Sequence, residues 1–109
     1  MQVDILYFDG CPNHLPTSEL VRDVVQTLGV DATIREVEVR SADDAARMRF
    51  FGSPTVQVNG LDMDPAVRSH ADFSFSCRMY GRSGTPSREL VEQAVREGSA
   101  SSELKGAPA

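Results

Sequence analysis

Val3-Asp4-Ile5-Leu6-Tyr7-Phe8 is a short, nearly continuous apolar run. That pattern predicts a central strand covered on both faces. Asp9-Gly10 breaks it. Leu20, Val21, Val24, Val25 and Leu28 then recur at helical spacing and make one apolar stripe. Gly29 is placed to close this helix. Its start is left open by the pattern, because either Pro12 or Pro16 fits a first turn; the regular part can begin near Leu15. Residues 33–39 predict a second strand with Val37 and Val39 on one face and Glu36, Glu38 and Arg40 on the other. A charged face of that kind belongs to an edge strand.

Ser41 is a good N-cap with Asp44 three residues on, and Ala42, Ala45, Ala46 and Met48 suit a short helix that Gly52 is expected to end. Thr55-Val56-Gln57-Val58 reads as a third strand. Asn59-Gly60 is a strong hairpin signal, with Leu61-Asp62-Met63 as the return. Residues 64–84 show no clean period, and so long a connection points either to a functional loop or to hidden local structure. Thr85-Pro86 resembles an N-cap and first helical residue. Leu90, Val91, Ala94 and Val95 form another apolar stripe, with Gly98 as the expected end. The expected organisation is one domain over residues 1–98 and a disordered tail over 99–109. The order β-α-β-α-β-β-α implies an α/β fold: a four-stranded mixed sheet, with a right-handed crossover joining its parallel pair and helices on its faces.

Composition narrows the function. The chain has 109 residues, 40% of them hydrophobic, which is enough for one domain with a real core. Its formal net charge of −5 argues against nucleic acid or an anionic membrane as partner. No apolar run reaches the ~20 residues of a membrane span, and the N-terminus lacks the pattern of a signal peptide. A cytoplasmic location is the expectation. There a structural disulfide between Cys11 and Cys77, the two cysteines, is disfavoured. No phosphate loop, serine triad or dinucleotide fingerprint is present, so no cofactor is expected.

The chemistry centres on Cys11, which lies between the first strand and the first helix. A thiol near a helix N-terminus feels free N–H groups and the positive end of the macrodipole, and both favour the reactive thiolate. His14 can add positive charge when protonated. The opposing possibility is an inert, buried cysteine. Cys11-x-x-His14 with His70 and Cys77 could be drawn as a zinc site, but the spacing of the second pair is too wide for an ordinary one; no metal is expected. His14 and His70 otherwise read as surface residues. Glu36, Glu38, Glu89 and Glu92 read as solvated faces.

Three features, Phe8-Asp9-Gly10-Cys11-Pro12-Asn13-His14, Gly52-Ser53-Pro54-Thr55 and the Asn59-Gly60 turn, fall where thioredoxin-like proteins carry matching ones. The chain resembles that family over roughly residues 2–98. In particular, it is similar to small bacterial thioredoxin-like proteins with a single active-site cysteine and a Gly-Ser-Pro-Thr loop. The resemblance implies a cis Ser53–Pro54 bond facing Cys11. It also implies that Pro12, Ser53, Pro54 and Thr55 form a platform where backbone pairs with an extended substrate. The chain departs from the dithiol pattern, since His14 stands where C-x-x-C has its second cysteine. Cys11 would then work alone, with glutathione resolving the mixed disulfide, or with Cys77 as resolving thiol, which requires Cα atoms within about 7 Å. Arg78 could support a thiolate or bind an acidic ligand. The expected partners are thiols and disulfides. The alternatives are a non-catalytic binding module that kept the fold, and a thiolate protein for soft metal ions.

Overall fold

The computed structural model describes residues 1–71, 73, 76, 78–80 and 84–106, the last six of these as helix backbone. Its strands are β1 (Gln2–Tyr7), β2 (Thr33–Glu38), β3 (Thr55–Val58) and β4 (Leu61–Asp62). Its helices are α1 (His14–Leu28), α2 (Ala42–Met48) and α3 (Arg88–Gly106), with a 3-10 turn over Pro65–Val67. The sheet order is β2-β1-β3-β4. β1 runs parallel to β2 and antiparallel to β3, and β4 is antiparallel to β3. The molecule is therefore α/β with a mixed sheet of four strands. No helix among the described residues is long and apolar enough to cross a membrane.

Alternation along β1 divides the core. Val3 and Ile5, with Val56 and Val58 of β3, pack against Val21, Val24 and Val25 of α1 and Val91, Ala94 and Val95 of α3. Leu6 points to the opposite face and meets Val39, Ala45 and Phe50 around α2. Strand β1 is thus covered on both sides, as its apolar run predicts. Asp4 is the exception: it is buried on the α2 face and held by its cross-strand partner Arg35 at 2.9 and 3.3 Å. As the charged face predicts, β2 is an edge.

The turn chemistry is largely as expected. Gly29 closes α1 in the left-handed region at φ 66°. Ser41 Oγ accepts the Asp44 N–H at 3.0 Å. Asn59 and Gly60 turn the hairpin at φ 52° and 84°. Pro16 sits third in α1, where its missing N–H costs no helix bond.

Three helix boundaries differ from expectation. Arg49, at φ 58°, caps α2, so that helix ends before Phe50 and not at Gly52. Helix α3 begins at Arg88, after Thr85-Pro86, and the Ser87 hydroxyl accepts the Leu90 N–H at 3.2 Å. It then continues through Gly98 to Gly106.

Gly98 has a packing role instead of a stop role. A Cβ there would collide with Val58 Cγ1 and Met1 Sδ, and the Gly98 carbonyl accepts from Asn59 Nδ2 at 3.1 Å. Glycine lets the helix backbone lie directly on the hairpin. Gly98→Ala gains about 0.5–1 kcal/mol of helix propensity. It meets an overpacking cost of about 1–3 kcal/mol, since Val58 is buried and cannot yield. The expected result is a lower urea midpoint, against the usual effect of this substitution in a helix.

Candidate functional site

Cys11 lies in a tight turn between the end of β1 and the start of α1. Its N–H donates to Phe8 O at 3.2 Å, and its carbonyl accepts from the His14 N–H at 3.3 Å. The residue is 9% exposed. Pro12 beside it is exposed.

Ser53 is the counterpart across the sheet. The Ser53–Pro54 bond is cis, as the resemblance implies. Ser53 is fully buried, and its hydroxyl accepts the Phe8 N–H at 3.3 Å, tying this loop to the Cys11 turn. Thr55 is also fully buried; its hydroxyl donates to Gly52 O at 2.6 Å and accepts the Phe51 N–H at 3.2 Å. The Ser53 and Thr55 side chains therefore hold the loop in shape and offer no open face to a substrate.

The long connection does hide structure. Ser53 N–H donates to Ser76 O at 2.7 Å, and Ser53 O accepts the Arg78 N–H at 2.9 Å. Gly52, at φ 108°, permits this approach, because a Cβ there would lie 3.0 Å from Arg78 N, Arg78 Cβ and Ser76 O. Arg78 then turns inward. Its guanidinium grips Asp62 at 2.7 and 3.0 Å and reaches Thr55 Oγ1 at 3.4 Å. It lies 4.6 Å from the Tyr80 ring centroid and 5.9 Å from that of Phe51. The Tyr80 hydroxyl donates to Pro54 O. Burial pushes the Tyr80 phenol well above its ordinary value, so it stays a donor.

Arg78, expected to support a thiolate or bind an acidic ligand, has its charge engaged within the fold. The Arg78 and Asp62 side chains are 7% and 3% exposed, and the pair is matched fork to fork. The guanidinium anchors the loop to β4, and Asp62 takes up its charge. Cys77 lies outside the described residues.

His14 is tied elsewhere than to the thiol. Its ring stacks on Tyr7 at 3.6 Å between centroids and 5° between planes. Its Nε2 meets Glu36 Oε1 at 2.6 Å, and Arg22 Nη2 donates to the other Glu36 oxygen at 3.2 Å. Glu36, expected on a solvated face, is thus the hub of a small cluster that fastens α1 to β2. Burial raises the Glu36 carboxyl, but hydrogen bonds from His14, Ser18 and Arg22 outweigh it and leave the group below its ordinary value. A carboxyl lowered on folding stabilises the protein above its unfolded value, near 4.5, and loses that contribution as pH falls through the folded one. Wild type is therefore expected to exceed Glu36→Gln in urea midpoint at pH 7. The gap should narrow as pH falls below the ordinary carboxylate range, where the Glu36 carboxyl takes up its proton.

Beside the Cys11 turn lies an open hollow of about 550 Å³, lined by Phe8, Asp9, Glu38, Val39 and Arg40. Among the described residues, no three His, Cys, Asp or Glu side chains gather as metal ligands.

Asp62, Tyr80 and the Tyr7–His14–Glu36 cluster escape the sequence pattern. The available signals were a lone acid between apolar Leu61 and Met63, and a lone arginine two residues from Tyr80. No family model, curated protein or solved structure matches the chain.

Proposed function

We propose that the chain is a thioredoxin-like protein that carries out thiol–disulfide exchange through Cys11. The observation that carries this reading is the position of Cys11: it sits three residues ahead of α1, in a turn fastened by Phe8 to the Ser53–Pro54 loop. The strand order, with a parallel pair and a hairpin, supports the fold assignment.

In the proposed step the Cys11 thiolate attacks one sulfur of a disulfide. A Cys11–substrate S–S bond forms, the original S–S bond breaks, and the other sulfur leaves as a thiolate that takes a proton from water. A second thiolate then attacks the mixed disulfide at Cys11 or at the substrate sulfur. In the first case Cys77 forms an internal disulfide. In the second glutathione releases reduced Cys11 and carries the substrate away as a new disulfide.

The rival reading is a binding module that kept this fold. The low exposure of Cys11 favours it. Iodoacetamide labelling of the native protein, read by peptide mass spectrometry, separates the two. Exchange predicts that Cys11 labels without unfolding and that Cys11→Ser abolishes reduction of a disulfide substrate. A thiol that labels only in denaturant supports the binding module.

A further inference from the structure

The backbone of Ser53 is a strand-like edge tied to the Cys11 turn through Phe8. An extended polypeptide approaching Cys11 would have to satisfy its own N–H and C=O groups, and adding a strand at such an edge is the usual way. That edge is already filled: Ser76 O and the Arg78 N–H occupy both Ser53 backbone groups. The same segment covers Pro54, whose carbonyl is taken by the Tyr80 hydroxyl.

We propose that Ser76, Arg78 and Tyr80 form a built-in strap that confines Cys11 to low-molecular-weight disulfides and keeps extended polypeptides off the site. This rests on Cys11 being the nucleophile of the exchange described above. A peptide that displaced the strap would trade two backbone hydrogen bonds for two others and gain nothing there. It would also pull Arg78 from Asp62 and leave a buried carboxylate without its counter-charge. A small disulfide needs no strand edge. It needs only to reach the side chain of a residue that is 9% exposed, and Phe8 and Asp9, which precede Cys11 in the same turn, line an open hollow. The bond changes are those of simple exchange: Cys11 sulfur joins one half of the reagent, and the other half leaves as its thiolate.

The test compares mixed-disulfide formation at Cys11 of the reduced full chain with two reagents, by mass spectrometry. One is 2-hydroxyethyl disulfide. The other is a disulfide-linked dimer of an extended, uncharged nonapeptide with a central cysteine. Wild type is expected to react with the peptide about tenfold more slowly, or worse, because no strand can pair. Tyr80→Phe, which removes the bond to Pro54, and Gly52→Ala, which pushes a Cβ against the strap, should each raise the peptide rate more than the small-disulfide rate. Amide exchange by NMR gives a reading independent of Cys11, since the Ser53 and Arg78 N–H groups should both be protected. Equal rates in wild type, an unchanged ratio in both variants, or unprotected amides overturn the strap and leave the role of Cys11 standing. Inertness of Cys11 to both reagents overturns the exchange reading instead, and the selectivity with it.

Discussion

Asp62→Ala is expected to lower the unfolding free energy by about 3–5 kcal/mol, because it leaves the Arg78 guanidinium buried without its carboxylate. The two side chains are almost wholly out of water and meet through two hydrogen bonds. Arg78→Ala should cost a comparable amount for the converse reason. Burial opposes the charged guanidinium, and the Asp62 hydrogen bond and neighbouring acidic charges overcome that, leaving Arg78 still more firmly protonated. The double variant should lose clearly less than the sum of the singles, since neither charge is then stranded. Urea unfolding of the four proteins at pH 7 makes the cycle. Additive losses would mean that the pair is not coupled and that the long loop is held by Tyr80 and backbone alone.

Phe50→Ala should cost about 3–5 kcal/mol as well, the usual range for emptying a fully buried phenylalanine site. Phe50 is 0% exposed and is the largest side chain in the cluster with Leu6, Val39 and Ala45. Helix α2 has seven residues, too few to persist without tertiary support. Phe50 supplies that support, and its N–H also binds Ala45 O at 2.8 Å at the end of the helix. The variant should show a lower urea midpoint together with loss of amide protection across α2. An unfolding free energy within about 1 kcal/mol of wild type would show that the smaller cluster repacks without it.

The elements that could be read from sequence are those whose own pattern decides them. The apolar run of β1, the stripe of α1 and the Asn59-Gly60 turn each state a local conformation that the tertiary structure then accepts. Cys11 was legible as a residue between a strand and a helix for the same reason. The misread boundaries share a cause. Gly52 and Gly98 look like helix stops because glycine is a poor helix former, but both are glycine for what lies on top of them: Ser76 and Arg78 in one case, Val58 in the other. Such contacts cross tens of residues and leave no local period. The sequence offers Arg78 as a support for a thiolate or an acidic ligand because Asp62, its partner, sits in a hairpin 16 residues earlier. His14 was read as a modulator of the neighbouring thiol, since sequence shows proximity along the chain and not that Tyr7 and Glu36 claim the ring.

The central place of β1 has a consequence for how the molecule comes into being. β1 is synthesised before the strands it binds. Its parallel neighbour arrives with residues 33–38, but the antiparallel one, which pairs Val3 with Val58, arrives only with residues 55–58. The face of β1 shared with α3 waits longer still, until Val91, Ala94 and Val95 appear. Closing such distant contacts is slow compared with helix formation. A nascent chain halted before residue 55 therefore carries its most apolar strand half-paired. A ribosome-tethered series that lengthens residue by residue should gain protease resistance in one late step, after α3 has emerged, and not as each strand is made.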